Sequence, residues 1–150
     1  MLSLNLPTFA AKVKEKDGKH TIFDPVRRKY VALTPEEWVR QHFVNYLITH
    51  KGYPKELLAN EVPLKLNGTS KRCDSVAYNR FLAPLMIVEY KAPSIEITSA
   101  VFDQIVRYNM VLHVRYLAVS NGISHFCCKI DYENFTYYFL EGIPEYKELE

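Results

Sequence analysis

The 150 residues contain no run of the roughly 18 apolar residues that a membrane-spanning helix needs, and the opening MLSLNLPTFAAK has neither a basic start nor an unbroken apolar centre. A cytosolic protein is expected. Cysteine is scarce: Cys73 stands alone and Cys127 adjoins Cys128, an odd number with none of the CxxC spacings of zinc or redox sites. Reduced, structural thiols follow. His20, His42, His50, His113 and His125 show no HxH or HxxxH spacing, which removes a histidine-bound zinc. There is no GxSxG elbow, no glycine-rich dinucleotide loop and no P-loop, so nothing points to a serine hydrolase, a dinucleotide enzyme or a nucleotide-driven motor. A strong charge of one sign is missing as well. With 19 Lys and Arg against 17 Asp and Glu, the formal net charge of +2 is too small to announce a nucleic-acid partner, so charge placement must decide.

What is present suits a folded domain. Hydrophobic residues make up 48% and charged residues 24%, enough to bury a core and remain in solution. No repeat appears, and the eight prolines and five glycines are scattered rather than pooled into a linker, which predicts one domain over 1–150, with an N-terminal extension over 1–33 and a core over 34–140. Eleven tyrosines are many for this length; most are expected in the core, although ring faces can stack on unpaired bases.

The local patterns alternate between extended and helical. Asp17-Gly18 supplies the positive φ of a tight turn within AKVKEKDGKHTIF, predicting a two-stranded hairpin. Thr34 and Pro35 fit a helix cap and first position, with Glu37 where a capping box places its carboxylate. Val39, Phe43, Tyr46 and Leu47 then share one face of a helix over about 35–49. Two extended runs, 61–66 and 72–78, flank the turn-rich Asn67-Gly68-Thr69-Ser70 and read as a second hairpin. Leu85-Met86-Ile87-Val88 is a continuous apolar run, as a strand buried on both faces shows. Val101, Ile105, Tyr108 and Leu112 keep helical spacing over about 98–113, followed by a strand at 116–119. That order predicts a parallel crossover. Extended runs near 126–130 and 135–140 complete an α/β architecture with a mixed central sheet flanked by helices.

Three polar residues interrupt this sheet core: Asp74 in the second hairpin, and Glu89 and Lys91 at the end of the apolar run. Residues two apart on a strand point to one face, so Glu89 and Lys91 project together while Tyr90 points away. If the hairpin strand pairs with the apolar one, Asp74 joins them. Two acids and a lysine at one sheet edge suit phosphodiester hydrolysis, with the acids holding Mg²⁺ and the lysine serving the attacking water. The plain alternative is a Glu89–Lys91 salt bridge with Asp74 an ordinary edge charge, because an ExK triplet alone carries little information.

The runs Arg72-Cys73-Asp74-Ser75-Val76-Ala77-Tyr78, Ile87-Val88-Glu89-Tyr90-Lys91-Ala92-Pro93 and Phe102-Asp103-Gln104-Ile105-Val106-Arg107-Tyr108 resemble the nuclease domain of type I restriction enzyme R subunits, of the PD-(D/E)XK superfamily. The resemblance spans most of the chain. It implies a restriction-endonuclease-like fold and a Mg²⁺-dependent DNA endonuclease, Mn²⁺ able to substitute, with Asp74, Glu89 and Lys91 as its catalytic core. Double-stranded DNA is the implied partner, with a helicase motor and methyltransferase and specificity subunits beyond it. Cys73 stands where a proline often precedes the Asp.

The same resemblance implies a Gln-x-x-x-Tyr pair, Gln104 and Tyr108, one helical turn apart and facing the site. It also implies a first-helix acid near the metal, for which Glu36 and Glu37 compete and Glu37 is chosen; Glu61 is a further candidate. Among the basic residues Arg27, Arg28, Lys29, Lys71, Arg72, Arg107 and Arg115, those beside the motifs, Lys71, Arg72 and Arg107, are best placed to meet phosphates. The competing reading is a nucleic-acid-binding or assembly module that keeps the fold and has lost catalysis.

Overall fold

In the computed structural model, which describes residues 2–149, a three-stranded antiparallel sheet precedes a six-stranded mixed sheet that carries a helix on each face. β1 (Val13–Lys16) and β2 (Lys19–Asp24) turn at Asp17 and Gly18, both at positive φ. The expected hairpin gains a third strand, β3 (Lys29–Ala32). It was hidden because Arg27-Arg28-Lys29 reads as a solvated charge run. Instead Arg28 adopts φ 57° and its N–H donates to the Asp24 carbonyl at 2.7 Å, closing a turn that the Asp24 carboxylate braces by accepting from Val26 N–H at 2.8 Å.

α1 (Pro35–His50) begins where expected, with Thr34 Oγ1 accepting from Glu37 N–H at 3.0 Å. Val39, Phe43 and Leu47 are buried and Tyr46 is half-buried. β4 (Leu58–Leu66) and β5 (Thr69–Tyr78) form the second hairpin, turning at Asn67 and Gly68. β6 (Pro84–Tyr90) follows, then α2 (Ser99–Asn109), β7 (Tyr116–Ser120), β8 (His125–Asp131) and β9 (Thr136–Phe139). The strands lie in chain order, β4 to β9, and only β6 and β7 run parallel. α2 is the crossover between them, and ends four residues short of the predicted His113. A 3-10 turn, Met110–Leu112, takes over and stops at His113 with φ 53°. Leu112 stays buried in that turn, so its apolar spacing mimicked one more turn of α-helix.

The sheet divides the core. Val39, Phe43 and Leu47 of α1 pack with Ala77, Met86, Val88, Tyr90 and Ala118 on one side. Phe102 and Val106 of α2 pack with Val76, Ile87, Leu117 and Val119 on the other. This accounts for the unbroken apolar run in β6, whose alternate residues are buried on opposite faces, each worth about 1.5–3 kcal/mol of transfer free energy. The alternation also settles where the motif points: Met86, Val88 and Tyr90 face α1, so Glu89 and Lys91 follow Ile87 toward α2. Among the described residues no helix is long and apolar enough to cross a membrane.

Candidate active site

The site lies where β5 and β6 part. Their antiparallel ladder pairs Ala77 with Met86, Val76 with Ile87 and Ser75 with Val88, then stops. One step further stand Asp74 and Glu89. β6 continues beside β7 through Glu89↔Val119 and Tyr90↔Ser120, and Lys91 N–H donates to the Ser120 carbonyl at 2.9 Å. On its other edge, β5 pairs Ser75 with Asn60 and Cys73 with Val62, and the ladder skips Glu61, which takes φ 55°. Asp74 therefore sits at a break in both ladders.

Backbone groups freed at such a fork need partners. The Asp74 N–H donates to Glu89 Oε2 at 3.3 Å, and the Tyr90 N–H donates to Asp74 Oδ2 at 2.9 Å. Each carboxylate thus satisfies a donor on the opposite strand, and the exchange sets the two acids against each other. The Asp74 carbonyl is taken by Arg40 Nη1 at 2.7 Å, so α1 fixes the main chain beneath the acid.

Asp74, Glu89, Lys91, Gln104, Tyr108 and Asn109 line one pocket of about 310 Å³ between the fork and α2. Burial, followed by the charge and hydrogen bonding of Asp74, pushes the Glu89 carboxyl up to about 8, and the nearby Asp74 N–H and Asn109 amide only partly oppose the rise. The Glu89–Lys91 salt bridge of the plain alternative does not form: among the described residues no ion pair within 4.0 Å engages the Lys91 ammonium. The pocket is built around an uncompensated pair of acids with a lysine on the same wall. Hard divalent cations are held by such oxygen sets, so these residues fit Mg²⁺.

The remaining expected residues divide. Gln104 and Tyr108 do face the site, and Lys71 joins them indirectly, its Nζ lying 3.0 Å from the centre of the Tyr108 ring. Arg72 is exposed and pairs loosely with Glu61 at 3.9 Å. Arg107 is not brought to the pocket; it reaches Asp103 at 3.5 Å and the Phe135 carbonyl at 3.2 Å. Glu36 is exposed on α1.

Glu37 requires a correction to the three-acid expectation. Both its oxygens accept from Arg27 Nη2 at 2.8 Å, while Arg40 approaches at 2.6 Å and Gln41 at 2.8 Å. Burial alone raises a carboxyl, but Arg40, Arg27 and Gln41 outweigh it and hold Glu37 below the usual range. Its charge is already matched. Among the described residues no three His, Cys, Asp or Glu side chains gather closely enough to hold a metal, so the geometry unites two acids and leaves Glu37 with the arginines.

Sequence reasoning overlooked that network. Asp24, 0% exposed, accepts from Arg27 and from Asn60 Nδ2 at 3.0 Å; Ser75 Oγ donates to Asn60 Oδ1 at 2.6 Å and accepts from the Tyr90 hydroxyl at 2.9 Å. Arg27, one of the basic residues considered for phosphates, is an internal partner of Asp24 and Glu37. The available signal was Glu37, Arg40 and Gln41 at helical spacing beside the apolar stripe of α1. All three are buried. The thiol of Cys73, buried next to Asp74, is pushed up to about 12 by burial and then by Glu89 and Asp74, as expected of an inert structural cysteine.

No curated protein matches this chain. Among solved structures, a fragment assigned as the HsdR subunit of a type I restriction enzyme from Vibrio vulnificus YJ016 is similar, with a TM-score of 0.54 and 20% identity over 78% of this chain. At that identity the likeness establishes the fold, and the chain spans 24% of that protein's length. The sequence family described as the type I restriction enzyme R protein N terminus (HSDR_N) matches residues 35–144, from the first residue of α1 to beyond β9. This protein belongs to that family.

Proposed function

We propose that this chain is a PD-(D/E)XK nuclease domain, a Mg²⁺-dependent endonuclease that hydrolyses phosphodiester bonds of double-stranded DNA, with Mn²⁺ able to substitute. The observation that carries the reading is the fork: Asp74 and Glu89 face each other where two strands separate, and Lys91 shares their pocket without an ion-pair partner among the described residues.

Asp74 and Glu89 hold the cation, each already oriented by a backbone N–H of the opposite strand. Bound there, Mg²⁺ supplies polarisation of the phosphate and a water of lowered pKa. Lys91 orients the attacking water and offsets charge developing on phosphorus. Gln104 and Tyr108 form the α2 wall against which the phosphate is positioned, with Lys71 beside Tyr108 at its rim. Arg40 acts one step removed, by holding the Asp74 carbonyl. A helicase motor and the methyltransferase and specificity subunits of a restriction system are the proposed partners, since the structurally similar chain is about three times as long.

Nicking of supercoiled plasmid in Mg²⁺ or Mn²⁺ tests this, with the motor subunit supplied if the domain alone is silent. Cleavage lost in Asp74→Ala, with DNA binding kept, supports the reading. Wild type that binds DNA and never cuts it, with either ion and with the motor present, replaces it with the binding-module alternative.

A further inference from the structure

Asn109 closes α2 one residue after Tyr108 and is 2% exposed. Its Nδ2 donates to the Ile105 carbonyl at 2.9 Å, which fixes the orientation of the amide, because a flipped amide would set oxygen against oxygen. Oδ1 therefore has a defined place, and there it is buried without a hydrogen-bond partner among the described residues. Folded proteins leave few such atoms, and each calls for a reason. The helix does not supply one: Asn109 could hold the Ile105 carbonyl with any donor, and an apolar side chain would avoid the orphan oxygen altogether.

The reason lies in what surrounds it. Asn109 lines the pocket of Asp74, Glu89 and Lys91, and the N–H side of its amide lies close enough to Glu89 to favour the charged carboxylate. Mg²⁺ keeps several of its waters when it binds, and those polarised waters are strong donors that need acceptors within the protein. A neutral amide oxygen is suited to that task, since a third carboxylate would add to the repulsion between Asp74 and Glu89.

We infer that Asn109 is a positioning residue of this cation site, whose Oδ1 accepts a hydrogen bond from a water in the cation's shell while Nδ2 remains on Ile105. The inference rests on the metal reading of Asp74 and Glu89.

Mn²⁺ titration of the whole chain without DNA, followed by electron paramagnetic resonance, tests it beside the melting temperature of the metal-free protein. Asn109→Leu removes the oxygen at similar volume. We expect Mn²⁺ affinity to fall about tenfold, the lower end of what loss of an outer-shell partner does, with the metal-free melting temperature unchanged or raised. Wild-type affinity in Asn109→Leu overturns the inference, and a large fall in melting temperature with affinity kept makes the residue structural. Should Asn109→Leu fail to fold, Asn109→Ala takes its place in the same titration: a comparable loss of Mn²⁺ affinity supports the inference, and wild-type affinity overturns it. Glu89→Ala in the same titration separates the two levels. If it binds Mn²⁺ like wild type, the metal reading itself falls; if it loses Mn²⁺ while Asn109→Leu keeps it, only the role of Asn109 falls.

Discussion

The two sides of Asp74 use the same kinds of residue and treat charge in opposite ways. Toward α1, Asp24 and Glu37 are buried and each carboxylate meets an arginine; Arg27 bridges the two acids and Arg40 binds Glu37 and then the Asp74 carbonyl. Toward α2, Asp74 and Glu89 are set against each other, and the one cation on that wall, Lys91, makes no ion pair among the described residues. The first arrangement needs nothing further. The second holds two acids together in a partly buried pocket, which works against folding and is the arrangement a cation would relieve. Paired charge marks the scaffold, and unpaired charge marks the site.

Substitutions on the two sides should accordingly fail in different ways. The largest effect is expected in catalysis: Asp74→Ala removes Mg²⁺-dependent plasmid nicking to background, and Lys91→Ala lowers its rate by about 10²–10³-fold, as loss of one transition-state contact does. Lys91→Arg is expected to be nearly as inactive, because a planar guanidinium keeps the charge without placing a compact ammonium beside the water. Neither Lys91 variant should lower the melting temperature of the metal-free protein, and Asp74→Ala should lower it by no more than the loss of one hydrogen bond, that from the Tyr90 N–H. Glu37→Ala should do so severely, by roughly 3–5 kcal/mol in urea unfolding, because it leaves Arg27 and Arg40 buried without their partner. If Glu37→Ala folds with wild-type stability and loses Mn²⁺ binding, the division between scaffold and site is wrong and Glu37 is a ligand after all.

Most of the sheet was legible because its signals were local. The apolar run before Glu89, the turns at Asp17-Gly18 and Asn67-Gly68, and the Thr34-Pro35 helix start each act within a few residues. That Asp74, Glu89 and Lys91 meet at one pocket was legible because polar residues in a buried strand stand out. Two things were hidden. β3 was masked by its basic residues, whose role depends on Asp24 accepting across a turn. The arginine network was masked because its partners, Arg27, Glu37, Arg40 and Asn60, come from separate elements, and pairing of that kind leaves no period in the sequence. Arg107 was misplaced by a related limit: proximity in sequence to Tyr108 puts it on the other side of the helix, where Asp103 receives it.

Acid and base should also act oppositely on the two regions. Glu37 lies below the ordinary carboxyl range, so the stability it contributes is present above that range and disappears as pH falls through its lowered value. Glu89 is raised to about 8, so the reverse holds: its contribution is complete below the ordinary carboxyl value near 4.5 and declines as pH rises toward about 8. The urea midpoint of the metal-free wild type should therefore drift downward relative to that of Glu89→Gln from about pH 5 to pH 8.5, a comparison that cancels the opposite contribution of His42 and His125, whose values are lowered by burial. Mg²⁺ competes with the same proton, so its affinity should climb over the same interval. A difference between wild type and Glu89→Gln that stays flat over this interval would show that Glu89 is ionised in the folded protein and would dissolve the contrast with Glu37.

The smallest expected effect concerns how DNA is gripped. Lys71 lies over Tyr108 at the rim of the pocket, whereas Arg107 is engaged outside it with Asp103 and the Phe135 carbonyl. A phosphate entering the site meets Lys71 first, and each phosphate neutralised adds about 0.9 to the slope of log affinity against log salt. Measured by fluorescence anisotropy of a duplex without divalent ion, Lys71→Ala should lower that slope by about one contact, while Arg107→Ala leaves it as in wild type. Tyr108→Leu removes the ring on which the ammonium rests, and should reproduce part of the Lys71→Ala loss without changing net charge. Equal slopes in Lys71→Ala and wild type, with a loss in Arg107→Ala, would move the DNA path off the α2 side of the fork and onto the outer edge of the helix.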